Sequence, residues 1–97
     1  MNYIKKVQEI TKGELTSEEK IRMLFDILIP KIMYISLPQI TGINLKLLSL
    51  KRKLEKNTDA YILYKIMIAF FEYKLLNYNE SIYIVKEIED DYPKGQN

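Results

Sequence analysis

Residues 60–76 read AYILYKIMIAFFEYKLL, and only Lys65, Glu72 and Lys74 in them are charged. Every face of a helix built from this stretch carries large apolar side chains, whereas a surface helix keeps one wet face. The stretch therefore predicts the central helix of a bundle, spanning about 59–76, which the other helices must cover. Tyr61, Lys65 and Glu72, at i, i+4 and i+11, fall on one flank and are expected to mark its only wet edge. Lys65 breaks the longest apolar run, which is shorter than the roughly 20 residues a membrane span needs.

The flanking segments supply the cover. Tyr3, Ile4, Val7 and Ile10 recur at helical spacing over residues 2–12, and Gly13 is a fitting stop in the left-handed conformation. Thr16-Ser17-Glu18-Glu19 has the spacing of a capping box, and Ile21, Leu24, Phe25 and Leu28 follow it as an apolar stripe. Pro30 kinks or ends that helix near Ile29, and Lys31 to Ser36 can add a turn or two. Pro38 predicts an extended Leu37. Thr41-Gly42-Ile43-Asn44 reads as a turn with Asn44 as N-cap, leading into a helix over 45–56. Ile43, Leu47, Leu50 and Leu54 form its seam, and its last turn is basic. Asn77-Tyr78-Asn79-Glu80 is a tight connection to a last helix with Ile82, Val85, Ile88 and Tyr92 inward, ended by Pro93 and Gly95. No stretch alternates as a strand does. The expected fold is all-α, a single antiparallel four-helix bundle of four to five helices over residues 1–97.

Composition narrows the chemistry. The chain has 97 residues, 47% apolar and 29% charged, without cysteine or histidine. That removes disulfides, thiolate metal sites, a cysteine nucleophile, the commonest general base and any Ser-His-Asp triad. No catalysis and no cofactor are expected. The lack of cysteine fits a cytoplasmic protein, and the N-terminus carries no secretory apolar run. Net charge is +2, too small to imply nucleic acid, and no nucleic-acid partner is expected. The charge is uneven: residues 1–56 hold eleven Lys or Arg against six Asp or Glu, and residues 57–97 hold four against seven.

Four features could carry function. The acidic run 87–91 lacks the alternating oxygen ligands and central glycine of a calcium loop, so it reads as a solvated helix end. Lys51, Arg52, Lys53 and Lys56 make a basic patch, although consecutive residues splay around a helix. Eight tyrosines are many for this length, and Tyr78, Tyr83 and Tyr92 near the C-terminus are candidates for an interaction surface. Finally, Gln39 to Asn44 before a basic helix echoes a helix-turn-helix with Gly42 at the turn, which would make the chain a small DNA-binding regulator; Pro38 and the buried-looking leucine seam oppose it.

Two family resemblances add to this. Lys51-x-x-Leu54-Glu55-Lys56, then Asp59 opening a long apolar helix that ends Lys74-Leu75-Leu76, then one more helix, resembles the class IIa bacteriocin immunity proteins of the enterocin A immunity type over Leu48 to Ile88. The resemblance implies a cytosolic antiparallel helical bundle that protects a producer cell from a pore-forming peptide. Its implied partner is the mannose-permease receptor engaged by that peptide, and its implied working surfaces are the C-terminal hairpin and the basic residues Lys51, Arg52, Lys53 and Lys56. Residues 60–93 also look like one tetratricopeptide repeat. Ala69 holds the small position of the first helix, Tyr78, Ser81 and Ile82 follow, Pro93 closes the unit, and Leu76 stands where that repeat has its turn glycine. That resemblance implies a protein-interaction module with Ala69 and Ser81 in contact. No second copy lies about 34 residues upstream.

Overall fold

The computed structural model describes residues 2–91. It is all-α: α1 (Tyr3–Lys12), α2 (Ser17–Leu28), a 3-10 segment (Ile29–Tyr34), α3 (Leu37–Lys51), α4 (Asp59–Lys74) and α5 (Tyr78–Asp91). Among the described residues there are thus five α-helices, within the four to five expected. No strand occurs among the described residues.

The caps explain where the helices begin. The Asn2 side chain accepts from the Lys5 N–H at 3.0 Å. Thr16 forms the expected capping box, its hydroxyl accepting from the Glu19 N–H while the Glu19 carboxylate accepts from the Thr16 N–H. The Thr16 N–H, and secondarily the Thr16 hydroxyl, donate to the charged form and hold the Glu19 carboxyl below its ordinary range. Thr58 caps α4 by accepting from the Tyr61 N–H. At the end of α1, Gly13 has φ −71°, ordinary extended backbone and not the left-handed turn its type suggested. The buried Lys20 closes that end, its ammonium donating to the Thr11 carbonyl at 2.8 Å.

α4 is central, packing against α2, α3, the 3-10 segment and α5, while α1 lies on α3 and α2. Phe71, Met67, Ile21, Leu24, Leu28, Ile35, Ile40, Ile43, Leu47 and Val7 are fully buried in one continuous core. The expected seam of Ile43, Leu47, Leu50 and Leu54 is buried throughout. No residue of α5 belongs to this core, so α5 leans on α4 from outside.

Several expectations are corrected. α3 starts at Leu37, so residues 41–44 are helix interior and form no turn. Pro38 fits because the first helical turn needs no N–H from it. Gly42 fits because α1 crosses it closely: a Cβ there would stand 2.7 Å from Ile4 Cδ1. With no turn at 41–44, these residues do not build a helix-turn-helix. α3 also ends at Lys51, so Arg52 to Lys56 lie in turns and Asn57 takes φ 68°. Tyr61 is buried, which leaves Lys65 and Glu72 half-buried without it on a wet edge.

α4 stops at Lys74 in a Schellman motif, with the Leu76 N–H on the Tyr73 carbonyl and the Asn77 N–H on the Glu72 carbonyl. Leu76 occupies the left-handed position at φ 69°. The connection is therefore only Leu75–Asn77, and Tyr78, Asn79 and Glu80 are already helix. This link sets the rotation of α5. Ser81 and Ile84 face α4 and Ile88 is half-buried, while the expected inward residues Ile82 and Val85 are exposed. Tyr92, Pro93 and Gly95, expected to finish this helix, lie outside the described residues.

Candidate interaction surfaces

Two surfaces stand out, on different sides of α4. The first is made where α3 ends. Because the helix stops at Lys51, the chain turns and wraps Arg52 and Lys56 back toward Tyr61 in the first turn of α4. Lys51, Arg52 and Lys56 then line one cleft of about 410 Å³ with Leu48, Leu54 and Tyr61. Lys53 is exposed and does not line it. None of the three lining cations has a carboxylate partner among the described residues. An Arg22–Asp59 pair at 3.7 Å lies elsewhere and is largely exposed.

Leu48, Lys51 and Tyr61 also line a second, adjoining cleft of about 220 Å³, completed by residues that include Tyr64, Lys65, Glu80 and Glu87. The Tyr61 and Tyr64 rings lie 6.4 Å apart, and the Lys65 ammonium sits 4.9 Å from the centre of the Tyr61 ring. Burial, and secondarily the Tyr61 hydroxyl, push the Tyr64 phenol up to about 12, so it is a neutral hydroxyl in this cleft. The arrangement offers cations, aromatic faces and hydroxyl groups. It can attract and hold an anionic surface, but it places no nucleophile beside a base.

The second surface is apolar. Ser81 approaches α4 closely, its hydroxyl donating to the Ala69 carbonyl at 2.9 Å. On one side of that crossing, Ile66, Phe70, Tyr73, Val85 and Ile88 line a groove of about 270 Å³. Phe70 and Tyr73 continue into a neighbouring hollow of about 360 Å³ with Ile32, Met33 and Lys74, whose ammonium is held by the Ile32 carbonyl. The Tyr73 and Tyr78 rings meet edge to face at 5.2 Å.

The residues proposed from the sequence thus divide. Lys51, Arg52 and Lys56 are brought together, and Lys53 is left outside. Tyr78 joins the apolar surface. Tyr83, five residues on and exposed, points about 140° away around α5. Tyr92 lies outside the described residues. The apolar surface built on Phe70, Tyr73 and Val85 was not predicted. Its signal is the all-round apolar character of α4, which covers more of the helix than the core alone uses.

Among the described residues there is no group of His, Cys, Asp and Glu that could hold a metal ion, and no helix long and apolar enough to cross a membrane. No protein-family model, no curated protein and no solved structure matches the chain.

Proposed function

We propose that this chain acts by recognition, as a bacteriocin immunity protein of the kind that Leu48–Ile88 resembles, in the cytosol, on a membrane receptor engaged by its peptide. One observation carries the reading: Lys51, Arg52 and Lys56 converge, without carboxylate partners among the described residues, on one cleft floored by Tyr61 and Leu54. Cations held over apolar side chains suit an acidic protein surface, steering its approach by charge and fixing it by burial. The test is expression in a bacteriocin-sensitive strain. Protection is expected against at least one class IIa peptide, and it should be lost when Lys51, Arg52 and Lys56 are all changed to Glu while the helical circular dichroism is kept. Unchanged sensitivity across a full panel of such peptides would refute the reading.

A second reading, a tetratricopeptide-like interaction module, has one observation in its favour, the Ser81–Ala69 contact inside the α4–α5 hairpin. Its ligand would be a peptide lying on that hairpin. A peptide library that selects no binder counts against it.

A further inference from the structure

We infer that the apolar face of the α4–α5 hairpin seats a second copy of this chain, hairpin against hairpin across a two-fold axis. The inference uses the opposite side of α4 from the basic cleft and stands whether or not the immunity reading does.

Size is the first argument. Met33, Phe70, Tyr73, Tyr78, Ile82 and Val85 are on average a little over half exposed. With ~200 Å² for a large side chain left fully in water, they present about 650 Å². The half-buried Ile66 and Ile88 add to that. The largest apolar patch on an ordinary monomer is roughly 300–600 Å². One side of a standard protein interface is about 800 Å². The face therefore exceeds the first and approaches the second.

The form of the face is the second argument. Tyr78, Ile82 and Val85 stand at i, i+4 and i+7, a second apolar stripe on a helix whose first stripe, Ser81, Ile84 and Ile88, already meets α4. Such a stripe is what one helix offers another for ridge-into-groove packing. α5 needs that partner. It has 14 residues, lies outside the continuous core and packs mainly on α4, and short helices owe most of their stability to packing.

Charge selects the occupant. At the C-terminal end of α5, Glu89 continues the line of the stripe and Lys86 flanks it, one of each sign, and Lys74 at the far end of the surface is already held by the Ile32 carbonyl. A nucleic acid, an anionic bilayer or a strongly charged peptide finds no complementary field on this face. An identical copy needs none, because a mixed edge opposes no like-charge excess to itself.

Sedimentation velocity on the full chain, from micromolar to millimolar, tests the inference. A dimer that forms with rising concentration is expected. Val85→Glu should weaken it at least about thirtyfold, and Leu45→Glu, an exposed site on α3, should leave it intact. Since the chain has no cysteine, Val85→Cys provides a second readout that keeps the helix: mild oxidation should give a covalent dimer, and Leu48→Cys should give none. A monomer at every concentration overturns the inference. So does a dimer broken by Leu45→Glu and not by Val85→Glu. A monomer that binds phosphatidylglycerol vesicles and loses them on Val85→Glu also overturns it, assigning the face to lipid.

Discussion

The adjacent phenylalanines 70 and 71 separate core from surface more sharply than any other pair in the chain, and replacing each with alanine gives the most informative stability measurement. Phe71 is 0% exposed in the continuous core, whereas Phe70 is 45% exposed at the rim of the apolar groove. Phe71→Ala removes on the order of 100 Å² of apolar surface from a dry site, about 2.5 kcal/mol at 25 cal/mol per Å². The enclosed void it leaves adds a further ~1–2 kcal/mol, since the surrounding core relaxes only partly onto it. The expected loss is about 4 kcal/mol, a large share of the roughly 5–15 kcal/mol that holds a domain of this size. Phe70→Ala loses about half the transfer term and opens no enclosed void, so about 1 kcal/mol is expected. Urea denaturation followed by circular dichroism reads both, at low micromolar concentration so that self-association does not contribute. The thermal midpoint should fall about 4–8 °C for Phe70→Ala and several times further for Phe71→Ala. Equal losses, or the reverse order, would refute the placement of α4 and with it the rotation that defines both candidate surfaces.

Three further outcomes follow from the caps and the tyrosines. Thr16→Ala should cost about 1 kcal/mol and reduce, without abolishing, the acid dependence contributed by Glu19, because the residue-16 N–H, the stronger of the two donors to that carboxylate, is kept while the hydroxyl is lost; since the folded carboxyl titrates below its unfolded value, the contribution is present above the unfolded pKa and disappears as pH falls through the folded one, which denaturation midpoints across the acid range will show. Leu76→Gly should leave stability unchanged or raise it by up to about 1 kcal/mol, and Leu76→Val should lower it by about 1 kcal/mol, because φ 69° strains any side chain, a β-branched one most, and Leu76 is largely exposed. Tyr64 is raised when folded, so its stabilisation is complete below pH 10.0 and is lost as pH rises toward about 12; the alkaline unfolding midpoint of Tyr64→Phe should move to higher pH, and an unmoved midpoint would show that Tyr64 is not the buried phenol.

The sequence made much of this fold legible because several signals are local. The Thr16–Glu19 capping box, the stop at Pro30 and the central place of α4 need only neighbours in the chain or overall polarity. What it concealed depends on distant partners. Pro38 and Gly42 look like a break and a turn, but proline costs nothing in a first turn, and Gly42 answers to Ile4 of another helix. The basic residues look dispersed while residues 45–56 are read as helix. They converge only because the chain turns after Lys51, with Asn57 accepting a left-handed φ before Thr58 restarts the helix.

The inward face of α5 was misread for a reason that also bears on function. That helix carries two apolar stripes, and the outer one, Tyr78, Ile82 and Val85, has more bulk than the inner one, Ser81, Ile84 and Ile88. If burial of bulk alone set the rotation, the outer stripe would face α4. The rotation is set instead by the Schellman link at Leu75–Asn77 and by the small pair Ala69 and Ser81, which lets the two helices approach until a hydroxyl reaches a main-chain carbonyl. Turning α5 to bury Ile82 would break the bond that the buried Ser81 hydroxyl donates and would lift Ile84 and Ile88 off α4, a loss comparable to the apolar gain. The close hairpin and the exposed stripe are therefore one design choice: the small residues that bring α5 against α4 are what put its bulkier residues outside, where another chain can cover them.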